Sequence, residues 1–442
     1  MHESCAARMP GPKGQVYASW RRWVVAAQAL AGLATVAAAA GAAAAPEVVL
    51  SPAAQAAYLK SHMANVRVWK ILPMDAPTSQ AARMAKASLL QGVGVGTTVP
   101  YWTTNIRSPL DGRTYAVSMV GSSPYAKTKT NTKVTYVPIV IRIHLSGFVI
   151  DPTVVSHCDT KSAEYRFFNS PIFVADTFIS NGVNVSSGAP GGTQLVSAFQ
   201  RANFWTAVKG TDYGVTLVPS RTMPIVVDWY PKNPSDEVLG VNDNCGGIQP
   251  VPLVEINEFD AELQAIGHAY ATPAQVPVTL ALDTAIYQSV TSNCCVLGYH
   301  NAISVTGGTQ LYATGTYFDT NQALGADFAD TTIWAHEMSE LVDDPFVQSI
   351  PGAPGGVNND LTPAWGNTGQ VSGCQNNLEV GDPLTPDQLG NFHNHPVVGV
   401  GSFVYHYQDL TFHDWFYRTP STSTGGKYSF VGTFSTYQKT LC

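Results

Sequence analysis

The sequence predicts an α+β, or mixed α/β, fold, and three observations carry that expectation. Residues 134–144 (VTYVPIVIRIH) form a run rich in β-branched side chains, the signature of a buried strand. Residues 258–269 and 331–342 carry apolar side chains at helical spacing. Strands and helices of this kind are interspersed along the chain, and no internal repeat appears.

The amino terminus is read first because it fixes the compartment. Arg21 and Arg22 precede an Ala-rich apolar stretch over residues 24–45 that ends in repeated Ala-x-Ala sites. That is the layout of a signal peptide, assigned to residues 1–45. The stretch is long enough to span a membrane, so a retained anchor is the rival reading. Alanine is only weakly hydrophobic, which favours cleavage. The mature chain is therefore expected to be secreted, extracellular or periplasmic, with no stable membrane association after cleavage.

Charge narrows the partners. Charged residues are 12% of the chain, against roughly 25% in an average protein. The leader holds four basic residues and one acidic, so its removal moves the net charge from −7 to −10. An acidic chain without a Lys/Arg run lacks the electrostatic footprint for nucleic acid. An extracellular peptide or a wall polymer is the expected partner class. Six cysteines remain after the leader: Cys158, Cys245, Cys294, Cys295, Cys374 and Cys442. An even count in an exported chain, with no Cys-x-x-Cys, predicts up to three disulfides. The adjacent Cys294 and Cys295 are expected to bond to two different partners.

Residues 46–126 read as an amino-terminal extension, helical near 53–66 and then irregular or short-stranded. Residues 127–442 read as the main domain. After the strand at 134–144, a Gly/Pro/Ser loop at 186–192 leads into a helix over 194–205. Strands are predicted at 214–218 and 223–229, a helix at 258–269 and a strand at 276–282. Residues 310–317 (QLYATGTY) alternate in polarity after Gly307-Gly308 and predict an exposed, edge-like strand. The helix over 331–342 has Asp330 as candidate N-cap and Pro345 as its stop. Beyond it, residues 345–378 form a long Gly/Pro/Asn-rich loop, which Trp365 and Cys374 mark as ordered. Residues 399–442 read as aromatic-rich strands tied down by Cys442.

The last helix carries the chemistry. His336 and Glu340 are four apart, so both project from one helical face and can reach one divalent cation. Glu337 lies about 100° round the helix, placed to act on a water beside that cation without ligating it. This is the pattern of a His-Glu-x-x-His metallohydrolase with the second His replaced by Glu. Glu340, Asp343 and Asp344 crowd the carboxy-terminal turn, where the helix dipole disfavours anions. A cation would offset them. The bland alternative is an amphipathic helix whose acids face solvent. A further ligand is sought downstream in Asn377-Leu-Glu379-Val-Gly-Asp382-Pro: Glu379 is the first choice and Asp382 the second, either being able instead to orient the site. In zincin-like enzymes an edge strand precedes the metal helix and aligns extended substrate. His300 is a weaker candidate for ligand or transition-state donor. His393 and His395 read as a solvated loop pair, and His406 and His413 as structural. Tyr299 and Tyr405 are possible oxyanion donors that nothing singles out.

The strings WAHEMSELVDDPF, TPAW at 362–365, Gly373-Cys374 and LEVGDP at 378–383 resemble a group of exported bacterial proteins sharing HExxE, a following Asp-Pro and a downstream E-x-x-D. CCVLGYHNA at 294–302 and Asp344-Pro345-Phe346 resemble the plant Exordium, or phosphate-induced, family of secreted proteins, which generally lack the HExxE pair. The resemblance implies an exported, zincin-like domain: a mixed sheet with an active-site helix. The resulting expectation is a zinc-dependent hydrolase, a peptidase with one zinc per chain. His336, Glu340 and Glu379 would hold the metal and Glu337 would be the base. Asp343, Asp344, Asp382 and His300 would support it or stand in as ligands. The alternative is a non-catalytic wall or surface protein of Exordium type that binds glycans or partners.

Overall fold

The computed structural model describes residues 98–144, 147–156, 159–229, 238–242, 247–319, 328–346, 361–366, 374–385 and 397–442. The leader, the pattern at 53–66, Cys158, Cys245, His393 and His395 lie outside the described residues. Among those described, no helix is long and apolar enough to cross a membrane.

The chain mixes helices and strands around a mixed sheet, in the α+β manner expected. A hairpin of β1 (Tyr101–Arg107) and β2 (Thr114–Val120) comes first, and Val117, Met119 and Val120 bury into the main core. The long strand β3 (Lys129–Ile143) follows, then the short β4 (Val149–Ile150). In β3, burial alternates up to Lys133 and is nearly continuous from Val134, as it must be where a strand is covered on both faces. A short helix α1 (Ala163–Phe168) and a small hairpin of β5 (Ile179–Ser180) and β6 (Val183–Asn184) lead to α2 (Leu195–Asn203) and α3 (Trp205–Val208). Strands β7 (Gly214–Arg221) and β8 (Ile225–Trp229) then pair successively with β3, both parallel to it.

A second sheet contains β9 (Val238–Asn242) and β10 (Ile248–Glu255). Helix α4 (Ile256–Tyr270) returns the chain to the main sheet, where β11 (Gln275–Leu282) lies parallel to β3 with Val276 opposite Val134. The second sheet is completed by β12 (Ala285–Tyr287) and β13 (Cys294–Val296). Strand β14 (Gly298–Val305) and β15 (Gly308–Tyr317) form a hairpin turned at Gly307. β15 also lies parallel to β11, with Ala313 opposite Val278. The main sheet therefore runs β14–β15–β11–β3.

That order corrects the expectation for residues 310–317. β15 is paired on both sides and almost wholly buried, and the edge position belongs to β14. The alternating polar residues misled because they are satisfied internally. Gln310 Nε2 donates to the Gln275 carbonyl at 2.5 Å, and Thr314 Oγ1 to the Thr279 carbonyl at 3.3 Å. Buried polar groups with backbone partners look, in sequence, like a solvated face.

The cysteine expectation is corrected too. Cys294 and Cys295 bond to each other across a cis peptide, with their Cα atoms 3.0 Å apart. Each sulfur is consumed by its neighbour, so neither has a bond left for a second partner. Cys374 pairs with Cys442, which ties down the carboxy terminus as expected.

Helix α5 (Thr332–Asp343) follows the hairpin. The stretch read as an irregular loop contains β16 (Leu361–Trp365), which pairs with β17 (Gln375–Asn377). The tail is aromatic but less stranded than expected. A hairpin of β18 (Val397–Val400) and β19 (Phe403–His406) gives way to α6 (His413–Tyr417) and then to irregular chain. Large rings fill that space without needing a ladder; Trp415, for instance, stacks on Phe434 at 5.1 Å.

One buried acid on α4 makes stability depend on pH. Asp260 accepts from Tyr312 Oη at 2.8 Å, Tyr299 Oη at 3.1 Å and Gln264 Nε2 at 2.7 Å. Burial nevertheless pushes its carboxyl up from 3.8 to about 6, against the pull of those hydrogen bonds. Between these two values the unfolded chain has released a proton that the folded chain keeps. Stability from this group therefore falls as pH rises through the window and stays lower above it. The whole swing is on the order of 3 kcal/mol. Denaturation midpoints of wild type and Asp260→Asn at several pH values should differ by an amount that changes between pH 4 and 6. A constant difference would remove Asp260 as the source.

Candidate metal centre

The site is built on α5, and α5 is seated by two glycines. The Trp334 ring lies on Gly315 of β15, where an added Cβ would come 3.0 Å from Cε2. Ile333 and Glu337 lie on Gly298 of β14, where a Cβ would meet them at 2.8–3.0 Å. The helix can approach the β14–β15 hairpin this closely only where side chains are missing. Every residue of α5 is buried, including His336, Glu337, Glu340 and Asp343. The reading of a solvated amphipathic helix is therefore excluded. Ionisable groups are so rarely buried without partners that their presence here calls for a chemical reason.

Asp330 is not the N-cap. Thr331 holds that position without a side-chain cap bond, and Asp330 turns away in a left-handed conformation. Its carboxylate accepts from the His406 backbone N–H at 2.7 Å and from His406 Nδ1 at 2.6 Å, tying the helix start to β19.

His336 and Glu340 meet across one turn, with Nε2 3.0 Å from Oε2. Asp382 Oδ1 lies 3.5 Å from the same nitrogen. The far side of the ring is wired to the tail: Nδ1 donates to Gln408 Oε1 at 2.9 Å. Gln408 is oriented in turn by its own Nε2, which donates to the Gly381 carbonyl at 2.5 Å. A carbonyl can only accept, so the amide oxygen faces His336 and the imidazole proton sits on Nδ1. That leaves Nε2 facing two carboxylates. The Gly381 N–H donates to Glu340 Oε1 at 2.9 Å and fixes the second ligand. His336, Glu340 and Asp382 each present one ligand atom within 4.8 Å of the others.

His300, on β14, repeats the arrangement. Its Nε2 donates to the Asp344 carbonyl at 3.0 Å. Its Nδ1 lies 3.5 Å from Glu337 Oε2 and 3.9 Å from Glu340 Oε2. Glu379 Oε2 is 3.9 Å from His300 Nε2, and His300, Glu340 and Glu379 form a second group within 4.8 Å. Asp382, the second choice from sequence, thus closes with His336 and Glu340, whereas the first choice, Glu379, closes with His300 and Glu340.

Electrostatics follow from this crowding. Burial works to lower the pKa of His336, but Glu340 and Asp382 outweigh it and hold the imidazole well above its ordinary range. His300 is raised in the same way, against burial, by Glu337 and Glu340. Glu337 is raised, chiefly by burial. Glu340 is lowered because the His336 imidazole beside it overcomes the cost of burial. The nearest polar group to Glu337 is His300, whose Nδ1 lies 3.5 Å from Oε2, and neither oxygen has a closer hydrogen bond.

No family model, curated protein or solved structure matches the chain.

The remaining sequence candidates divide. Asp343 points out of the centre and accepts from His413 Nε2 at 3.0 Å, so one acid at the helix end is met by a hydrogen bond. Asp344 is buried and touches the centre through its backbone carbonyl. Tyr299 donates to Asp260 and Tyr405 to the Arg166 carbonyl, so neither hydroxyl is directed at His336. Sequence reasoning missed Gln408 and Gly381. A glutamine 72 positions away carries no local signal. Gly381 was visible inside LEVGDP, but its role was not.

Gly381 gives a sharp test of the second layer. A Cβ there would fall 2.4 Å from His336 Nδ1 and 2.7 Å from Cγ and Cε1. Gly381→Ala must push the imidazole off Gln408. Cation affinity should drop about 10-fold or more, in line with losses of other outer-layer contacts. Titration calorimetry with zinc checks this; unchanged affinity would mean that the ring position does not matter to binding.

Proposed function

We propose that this protein is an exported, cation-dependent hydrolase of zincin-like type that cleaves extracellular peptides. His336, Glu340 and Asp382 hold the cation. The carrying observation is the His336–Glu340–Asp382 cluster, with Nε2 of His336 presented to both carboxylates and its other nitrogen locked by Gln408. One imidazole and two carboxylates suit zinc, although the oxygen ligands also admit other divalent ions.

Bound there, the cation would polarise the scissile carbonyl. Glu337, next along the helix and with no hydrogen bond reaching Oε1, takes the proton from the attacking water. The water oxygen bonds to the carbonyl carbon, the C–N bond breaks, and the proton passes from Glu337 to the leaving nitrogen. His300, 3.5 Å from Glu337 Oε2, positions that carboxylate. With β15 paired on both sides, the alignment of an extended substrate falls to β14, the terminal strand of the main sheet.

A second reading is favoured by burial. His336, Glu337, Glu340, Glu379 and Asp382 are all at most 3% exposed. Structural metal sites are closed, whereas catalytic ones keep a position open to substrate. On this reading the cation braces the tail against α5 in a non-catalytic surface protein of Exordium type that binds glycans or partners. Metal analysis by plasma mass spectrometry on wild type, His336→Ala and Asp382→Asn tests the centre common to both readings. Wild type should retain zinc, and each variant should lose the ion bound at this cluster. Wild type that stays metal-free after dialysis against zinc would overturn the centre. Cleavage of a peptide library by the zinc-loaded protein separates the enzyme from the surface protein.

A further inference from the structure

We infer that the centre binds two divalent cations, the second held by His300, Glu340 and Glu379, with Glu340 shared between the pair. This rests on the proposed metal centre and deepens it. The argument begins with His300, which the hydrolase needs only as a positioning residue. Its Nε2 is committed to the Asp344 carbonyl, so in the neutral ring the bare lone pair is on Nδ1. That lone pair is 98% buried with its ring, has no hydrogen-bond partner, and faces Glu337 at 3.5 Å and Glu340 at 3.9 Å. That nitrogen and the two carboxylates can lie together in a dry interior only with a positive charge between them, a proton or a cation, and Glu379 completes a ligand group of the size a cation needs.

The same geometry holds around His336. His336 and His300 fall in separate groups, each complete with its own downstream carboxylate: Asp382 in the first and Glu379 in the second. Only Glu340 belongs to both. Its Oε2 is 3.0 Å from His336 Nε2 and 3.9 Å from His300 Nδ1, while Oε1 is pinned by the Gly381 N–H. A carboxylate between two histidine-bearing half-sites is the arrangement of paired-metal hydrolases, whose ions sit about 3.5–4 Å apart.

The test loads the full-length mature protein with Mn(II), counts the metal, and records the electron paramagnetic resonance spectrum. Two ions per chain with a spin-coupled spectrum are expected for wild type. Glu379→Gln and His300→Ala should each retain one ion with the spectrum of isolated Mn(II). His336→Ala should also retain one, held now by the second group. Glu379→Gln keeps size and shape, so it reports on the site even if His300→Ala fails to fold. One ion in wild type, lost in both histidine variants, would show a single shared centre and overturn the second site while leaving the hydrolase reading standing. No ion at all would overturn both.

Discussion

Glu337→Gln is expected to abolish most hydrolysis, by roughly 10²–10⁴-fold, while leaving the cation content of the protein unchanged. The substitution preserves shape at a position where space is tight, since Glu337 packs against Gly298 with its Cγ only 2.9 Å from where a Cβ would stand. It removes one thing, the ability to accept a proton. The neighbour at 3.5 Å, His300 Nδ1, can be met by the amide oxygen as it is by the carboxylate, so the exchange orphans no partner. Removing a negative charge from among buried carboxylates should also leave thermal stability unchanged or raised. Turnover on a susceptible peptide, measured beside metal content and melting temperature, checks all three. Undiminished turnover would remove Glu337 as the base. A loss of turnover accompanied by loss of metal would make Glu337 a ligand instead. If zinc-loaded wild type cleaves no peptide at all, the closed-site reading gains at the expense of the enzyme.

The elements that were legible in the sequence are those whose signal is local. β3 is a run of β-branched residues and α4 has clean helical spacing, and both appear within a few residues of where they were placed. Helix α5 was legible for the same reason, as was the shared face of His336 and Glu340. What could not be read depends on distant pairing. The burial of β15 required knowing that β11 and β14 flank it, because Gln310 and Thr314 look solvated until their backbone partners are known. The division between Asp382 and Glu379 hangs on where the loop after β17 lays down. Leu378, Val380 and Leu384 anchor that loop in the core, and the two carboxylates follow. Gln408 and His413 become partners of α5 only through tertiary structure. The clash of three acids with the helix dipole did signal a special helix end, but one of its remedies is the His413 imidazole rather than a cation.

Breaking the Cys374–Cys442 disulfide is expected to cost about 4 kcal/mol of stability, the chain-entropy value for a loop of this size. Its sequence separation of 68 residues gives the bond that leverage. The melting temperature should fall on the order of 10 °C. The position of the loop makes the effect functional as well. Between the two cysteines lie Glu379, and also Gly381, Asp382, Gln408 and His413, whose polar groups meet Glu340, His336 and Asp343 of α5. Loosening that segment should therefore weaken cation binding together with stability. Cys374 and Cys442 are exposed, whereas Cys294 and Cys295 are buried, so a mild reductant acting on the native protein should open the long-range bond and spare the adjacent one. Melting curves and zinc titrations of wild type with and without reductant, beside the double variant Cys374→Ser/Cys442→Ser, decide the matter. The variant should match reduced wild type in both measurements and show no further response to reductant. A further response would place the sensitivity in another bond, and a variant that melts lower yet binds zinc as tightly as wild type would show that the tail holds its ligands without the clasp.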